Sequence, residues 1–511
     1  MNWIQKHPLL AVLIVATALR IPAVLYSKGF AYNDDHYETV TVASNWLQHG
    51  LMGTTGHLTW SPGDDRPPER FPLYTLALFG VMKILRACGA QTLDQMMYGV
   101  RAAHALLSLL SVWGAFALVE IATGSKRWGM IAGLLAGAHL AMPFFAVRNL
   151  IEMVGGHVWL IAMVCVYLYY QDRRIRWLVV AGILSGLAAM FRLQILAACV
   201  AIPIALLLTE KRVKPAVGYL VGLTLMILLA GIADMVLLGR FLGSSISPVT
   251  QGFSHGAMYK THVLIYPAVL VAFFVPPFSL IGLGLMGVPS FWKKHLPLCL
   301  SSVSFILIHT LIANRQERFV MPLVPILCAG IILALHHHWG TNGFFARRKG
   351  WFWGLTVPSI AINFALLPIF TLNYGHKGVV ESLVQVGKSS ASPHVLFASP
   401  GIDRWYPLHY TGFEPFAREQ VANWSDFAKL RSQSAEYLAT TNFFLLFPAD
   451  STELIAVVDS VRAVYGPVKE YSHIEPSLVD WTLHALNPTH NRTQEAWIYV
   501  RDNSAAASQH H

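Results

Sequence analysis

Apolar runs long enough to cross a bilayer recur along the first 372 residues of this chain. A helix needs about 20 mostly apolar residues to span a hydrocarbon core roughly 30 Å thick. Its backbone groups must be satisfied within the segment, so only helices and closed barrels can cross. A barrel would show segments of about 10 residues with alternating hydrophobicity. The continuous runs here predict a helical bundle instead. They lie near 8–26, 71–88, 101–121, 128–147, 155–171, 177–191, 193–209, 216–239, 262–289, 296–313, 320–337 and 352–372. Composition agrees, at 55% hydrophobic and 13% charged, against roughly 25% charged for a soluble domain. A water-soluble globule and a disordered chain are excluded. The five cysteines lie in or beside apolar runs with no CxxC pair, and read as small core residues.

The net charge of +10 sets topology rather than marking a nucleic-acid surface. Lys126-Arg127, Arg173-Arg174-Ile175-Arg176, Lys211-Arg212-Val213-Lys214, Lys293-Lys294 and Arg347-Arg348-Lys349 occupy short loops, which the positive-inside rule assigns to the cytoplasmic face. The opposite face then holds loop 27–70, residues 148–154, the turn near Arg192, loop 240–261 and turn 314–319. The first run reads as a retained span, since no small-residue cleavage site follows it. Run 71–88 cannot span if 101–121 passes from outside to inside. It is expected to lie along the outer interface or to re-enter, leaving about 11–12 spans. After Leu372 the composition turns polar, with strand-like pieces at His394–Ala398, Phe443–Phe447 and Ala496–Val500. The expected fold is therefore mainly α: a polytopic transmembrane helical bundle over 1–372 with a catalytic external loop 27–70. A soluble α/β domain over 373–511 follows on the non-cytoplasmic side.

That side gathers many ionisable groups: Asp34, Asp35 and Glu38 after the first span, then Arg148, Glu152, Arg192, His255, Lys260, Arg315, Glu317 and Arg318. A charge at membrane depth costs about 2.5–3.5 kcal/mol on insertion scales, so such groups pair or face a cavity. Interfacial solvation explains any one of them, and Arg148 could pair with Glu152 one turn on. The whole set on one face points to a site. Asp34-Asp35 could cap the helix expected over Thr39–Leu47. Among Phe30, Tyr32 and Tyr37 it could equally serve as a general base. The adjacent His336-His337-His338 satisfy a helix C-terminus rather than a metal, because neighbours on a helix point apart. A phosphate loop, GxGxxG after a strand, HExxH and GxSxG are all absent from the sequence, which removes nucleotide-driven pumps and the commoner intramembrane hydrolases.

The arrangement resembles the GT-C superfamily of membrane glycosyltransferases, and two motifs resemble the GPI and ALG-type mannosyltransferases of glycosyltransferase family 22. Tyr32-Asn33-Asp34-Asp35-His36-Tyr37-Glu38 stands where that family has His-Pro-Asp-Glu-aromatic-Phe-Gln, with His and Pro absent and Glu replaced by Asp. Arg315-Gln316-Glu317-Arg318-Phe319-Val320-Met321-Pro322-Leu323-Val324-Pro325 follows the family's Lys-Glu-x-Arg-Phe stretch and its two prolines more closely. Relatives that modify proteins or lipid A from a lipid-linked sugar share the acidic pair. The resemblance covers residues 1–372. It implies an inverting transferase that moves mannose or a similar hexose or pentose from a polyprenyl-phosphate donor. The acceptor is a lipid-linked glycan or another envelope molecule on the non-cytoplasmic face. Asp34 would be the general base, Asp35 would orient it, and Arg318 would meet the donor phosphate. Topology adds Arg192, Lys260 and Arg315 to the phosphate site, with Glu152, Arg148 and His255 as further candidates. Cationic side chains suffice for a monophosphate leaving group, so no metal ion or other cofactor is expected. The expected partners are the donor, the acceptor and membrane lipids, with no nucleic acid. A bacterial inner membrane is favoured over endoplasmic reticulum. Two other readings stay open. A transporter or flippase of lipid-linked sugars would share the cationic patch without needing the acidic pair, and such proteins often contain paired repeats with broken helices. A non-catalytic subunit of a glycosylation complex would account for the altered first motif.

Overall fold

A computed structural model describes residues 3–29, 36–52, 56–59, 71–246, 262–312, 315–389, 394–400, 418–486, 488 and 495–502. Helix α1 (Pro8–Tyr26) starts on a proline, whose missing N–H is harmless in a first turn. A π-helical turn (His36–Thr41) leads into α2 (Val42–His49), followed by α3 (Pro72–Ala87) and the long α4 (Leu93–Thr123). A Thr92–Gln95 capping box starts α4, and Gly124 at φ 68° stops it.

The run expected over 128–147 is two pieces, α5 (Lys126–Ala138) and α6 (Met142–Ala146). Asn363 holds the break, accepting the Leu140 N–H at 2.7 Å and donating to the Ala138 carbonyl at 3.1 Å. His139 Nε2 reaches the Phe273 carbonyl at 2.7 Å. Side chains thus take up backbone groups that an apolar environment would leave unsatisfied. Then come α7 (Ile151–Asp172), α8 (Arg176–Phe191), α9 (Leu196–Glu210) and α10 (Val213–Leu238). The run at 262–289 is also interrupted, giving α11 (Ile265–Phe273) and α12 (Phe278–Met286), because Pro276 and Pro277 remove two donors in succession. Next are α13 (Leu296–Leu311), α14 (Val324–Gly340), α15 (Lys349–Leu372) and α16 (Lys377–Ser389).

Among the described residues, seven helices are long and apolar enough to cross a membrane, while α8 and α13 are apolar but shorter. The chain is an integral membrane protein. The segment Glu317–Gly340 forms its axis, with 94% of its apolar window buried, whereas α10 has 28% buried and lies at the rim. Helices α8 and α10 touch backbone to backbone. A Cβ on Gly182 would lie 2.0 Å from the Tyr219 oxygen. Small residues allow that approach in a setting where dispersion, not water, drives association. Helix α3 has 16 residues, or about 24 Å at 1.5 Å per residue, short of the hydrocarbon core. Its Tyr74, Leu78 and Met82 share one core with Val380, Leu383 and Phe397 from the C-terminal part of the chain.

That part is, among the described residues, a five-stranded mixed sheet with four further helices, one of them the short Ala435–Thr440. Strands β1 (Val395–Ala398), β2 (Arg418–Val421), β3 (Phe443–Leu446), β4 (Val468–Ile474) and β5 (Ala496–Arg501) stand in the order β2-β1-β3-β5-β4. β1 runs parallel to β2 and β3, and β5 antiparallel to β3 and β4. The sequence predicts β1, β3 and β5, whose apolar residues are buried on both faces in β1 and β3. The edge strands β2 and β4 are too polar to stand out (Arg418-Glu419-Gln420, Lys469-Glu470). One face of the sheet packs on α16, and the other on α17 (Trp424–Arg431) and α18 (Ser451–Tyr465). Asp480 in α19 (Leu478–Leu486) accepts the His376 and Lys377 N–H groups at 2.7 and 3.3 Å, and Ser27 Oγ donates to the Asn373 carbonyl at 2.9 Å. The sheet is thereby seated at the end of the bundle where α1 finishes.

Candidate active site

Helix α7 begins Ile151-Glu152-Met153-Val154-Gly155-Gly156, and the two glycines determine what can approach its first turns. A Cβ on Gly156 would lie 2.6 Å from the Pro322 oxygen and 2.8 Å from its Cα. The backbone of the 3₁₀ turn Glu317–Leu323 therefore lies directly on α7. A Cβ on Gly155 would meet Ile195 Cδ1 at 2.8 Å, so the break between α8 and α9 closes in as well. These approaches bring Arg192, at the end of α8, and Arg318, in the 3₁₀ turn, to one carboxylate. Glu152 Oε1 lies 3.4 Å from Arg192 Nη2 and 4.0 Å from Arg318 Nε.

Glu152 is fully buried and Arg318 is 3% exposed. Both guanidinium groups also lie against the Phe319 ring, at 4.4 and 5.3 Å, where the ring face attracts cations. Tyr266 and His309 lie within electrostatic reach of Arg192. Two guanidinium groups thus approach one buried carboxylate, in surroundings where water screens little. Such a cluster suits an anion whose charge grows during a reaction.

Arg148 takes a different place from the one the sequence suggests. Its guanidinium stacks on Phe144 at 3.8 Å and donates to the Ser27 carbonyl and hydroxyl at 2.7 and 2.9 Å. Beside it, Asn149 Nδ2 donates to Thr39 Oγ1 at 2.6 Å, while its Oδ1 accepts the Tyr74 hydroxyl proton at 2.5 Å. His104 Nε2 lies 2.7 Å from that Tyr74 oxygen. Arg315 Nε donates to the Thr310 carbonyl at 2.9 Å. The structure thus joins Glu152, Arg192 and Arg318, and sets Arg148 against the end of α1. Asp34, Asp35, His255 and Lys260 lie outside the described residues. Among the described residues no cluster of three metal-ligating side chains occurs.

Several buried polar groups go unremarked in the sequence reading. Arg101, His104, Ser108 and Ser111 form one stripe of α4. Arg101 donates to the Val24 carbonyl at 2.8 Å, Arg20 Nε to Ser108 Oγ at 2.6 Å, and Ser111 pairs with His157 at 2.5 Å. Their spacing of three and four within an apolar run is the signal that could have revealed them. A cavity of about 250 Å³ between α1 and α4 is lined by Thr17, Arg20, Val24, Ala105 and Leu109, and its walls are otherwise apolar.

ArnT from Cupriavidus metallidurans, solved with undecaprenyl phosphate, superposes at a TM-score of 0.59 with 12% identity, covering 98% of this chain and 99% of that one. The chain has the GT-C glycosyltransferase fold. The apo form of ArnT gives a TM-score of 0.58 over the same shares of the chains. The Archaeoglobus fulgidus oligosaccharyltransferase tethered to an acceptor peptide with the NVT sequon gives 0.51 at 11% identity, covering 91% and 72%. Residues 81–232 match the dolichyl-phosphate-mannose-protein mannosyltransferase family. That stretch, within the GT-C bundle, contains α4 to α9 and both Glu152 and Arg192. No curated protein matches the sequence.

Proposed function

We propose that the protein is an inverting glycosyltransferase that moves a single sugar, mannose or a similar hexose or pentose, from a polyprenyl-phosphate donor to a lipid-linked or envelope acceptor. The observation that carries this reading is the approach of Arg192 and Arg318 to the fully buried Glu152 carboxylate, at the end of a GT-C bundle where α1 leads in sequence to Asp34-Asp35. ArnT was solved with a polyprenyl phosphate bound, which supports the same donor class here. The positive-inside rule puts the site and residues 373–511 on the non-cytoplasmic face.

In the reaction, Asp34 takes the proton from an acceptor hydroxyl as its oxygen attacks the anomeric carbon. The new C–O bond forms as the bond to the phosphate oxygen breaks, with inversion. The electron pair leaves on the polyprenyl phosphate, and the guanidinium groups of Arg192 and Arg318 offset that charge. Asp35 orients Asp34 or the acceptor, and Lys260 and Arg315 add positive charge nearby. The test is transfer of labelled sugar from a polyprenyl-phosphate donor by reconstituted protein. Asp34→Asn should lower the rate by at least about 10²-fold, the lower bound for a general base, with folding and donor binding retained. A helix cap would tolerate Asn, so activity close to the parent removes Asp34 from the mechanism.

The breaks between α5 and α6 and between α11 and α12 favour a second reading, a flippase of lipid-linked sugars. Movement of labelled donor across proteoliposomes without transfer to any acceptor would select it.

A further inference from the structure

At the end of the bundle opposite Glu152, short connecting segments close on the last turn of α14, and His336-His337-His338 latch them there. Trp128, at the start of α5, meets the His336 ring edge-on at 5.4 Å and Trp339 at 6.5 Å. His337 Nε2 lies 2.9 Å from Ser290 Oγ, and its ring 5.9 Å from Phe291, both in the short helix Pro289–Lys294. His338 Nε2 accepts the N–H of Phe345, in the short helix Phe344–Arg347, at 3.1 Å. Each segment brings cations to this place. Lys126-Arg127 precede Trp128, Lys293-Lys294 follow Phe291, and Arg347-Arg348-Lys349 follow Phe345. Lys294 is within electrostatic reach of His336 and His337, and Arg347 of His338. These cations are all exposed, and among the described residues none has a side-chain hydrogen bond or ion pair. In another basic loop, Arg173 pairs with Glu210 at 2.5 Å and Arg174 with Asp172 at 3.6 Å. The cations around α14 lack such an internal counter-charge, so their mutual repulsion must be offset from outside. Trp351 and Trp353 next to them are 61% and 54% exposed, and exposed tryptophans gather at head-group level.

We propose that this end of the bundle binds an anionic phospholipid of the adjoining leaflet, with its phosphates among Lys126-Arg127, Lys293-Lys294 and Arg347-Arg348-Lys349. The positive-inside rule puts this end at the cytoplasmic leaflet, where clustered Lys and Arg beside spans attract anionic head groups. The arginines add planar forks that suit phosphate oxygens. A head group with two phosphates, as in diphosphatidylglycerol, can meet the cations of two segments at once and is held best. The proposed transfer site lies at the other end of the bundle, so binding here is measurable whether or not sugar transfer occurs.

The experiment titrates diphosphatidylglycerol and, separately, phosphatidylcholine into the full chain in detergent and reads bound lipid by native mass spectrometry. The parent should retain diphosphatidylglycerol in preference to phosphatidylcholine, and added salt should weaken that retention. Each cation near an anionic lipid surface is worth about fivefold in affinity. Lys293→Gln/Lys294→Gln should therefore lose about 25-fold, and Arg347→Gln/Arg348→Gln/Lys349→Gln about 10²-fold. The control is Lys211→Gln/Arg212→Gln/Lys214→Gln, which removes the same charge from the loop before α10 and should leave binding close to the parent. All these substitutions are at exposed positions, and thermal unfolding without added lipid checks that each variant is folded. Equal retention of phosphatidylcholine by the parent, or insensitivity to salt, would overturn the site without recourse to any variant. A loss in the control as large as in the Arg347–Lys349 variant would reduce it to general surface charge. Displacement of the lipid by inorganic phosphate would make the ligand a soluble anion and equally overturn the proposal.

Discussion

Glu152 is the carboxylate that both Arg192 and Arg318 approach, so the three residues do not respond symmetrically to substitution. Removing the carboxylate takes a buried anion away from two guanidinium groups that both lie against the Phe319 ring. Breaking a buried pair typically costs about 3–5 kcal/mol. Glu152→Gln should therefore lower thermal stability sharply. Arg318→Ala leaves Glu152 beside Arg192, and should be milder on stability yet weaken binding of a polyprenyl-phosphate analogue. Arg318→Lys should restore only part of that affinity, because Lys offers a point charge where Arg grips two phosphate oxygens. Thermal unfolding and analogue binding on the same preparations check both statements. Unchanged affinity in Arg318→Ala would make the cluster a structural ion pair. Sequence reading finds each of these three residues as a charge in or beside an apolar run. It suggests Glu152 for Arg148, one turn away, whereas the structure gives Glu152 to partners 40 and 166 positions further along the chain.

At the scale of elements, the site depends on how closely the turn Glu317–Leu323 lies on α7. Gly156 faces the backbone of Pro322, which cannot move aside as a side chain can. Gly156→Ala should push the turn away, separating Arg318 from Glu152, with a cost of about 1–3 kcal/mol for overpacking and a loss of donor affinity. Gly155 faces the end of the Ile195 side chain at 2.8 Å, which can rotate, and the Ala188 carbonyl at 3.3 Å, so Gly155→Ala should cost less than Gly156→Ala. Thermal unfolding of the two variants side by side decides it, and equal effects would discount the backbone contact. The sequence shows a Gly-Gly pair without showing which neighbour it admits. It likewise reads 128–147 and 262–289 as continuous. Hydropathy reports how apolar a segment is, not whether Asn363 or Ser359 waits to bond an open backbone.

For the whole molecule, the proposed reaction requires the site and the C-terminal sheet to face away from the cytoplasm. Among the described residues Cys88 is the exposed cysteine and the other four are buried, so Cys88→Ser provides a background for labelling. In intact cells an impermeant thiol reagent should label Ser451→Cys, and should label Lys349→Cys only after permeabilisation. The reverse pattern would invert the bundle and remove the acidic pair from the proposed face.

The sequence alone determined the helical membrane class, the likeness to GT-C enzymes, strands β1, β3 and β5, and the set of charges from which a site could be drawn. These follow from local quantities: run length, apolar content, and short motifs whose residues are neighbours in the chain. Only the tertiary structure decided that Glu152 takes Arg192 and Arg318, that Arg148-Asn149 grips Ser27 and Thr39, and that α3 shares its core with the C-terminal sheet. Those are contacts between residues distant in sequence. They depend on the close approaches that Gly155 and Gly156 permit and on side chains that complete broken backbone ladders, and neither is carried by the periodicity of any one segment.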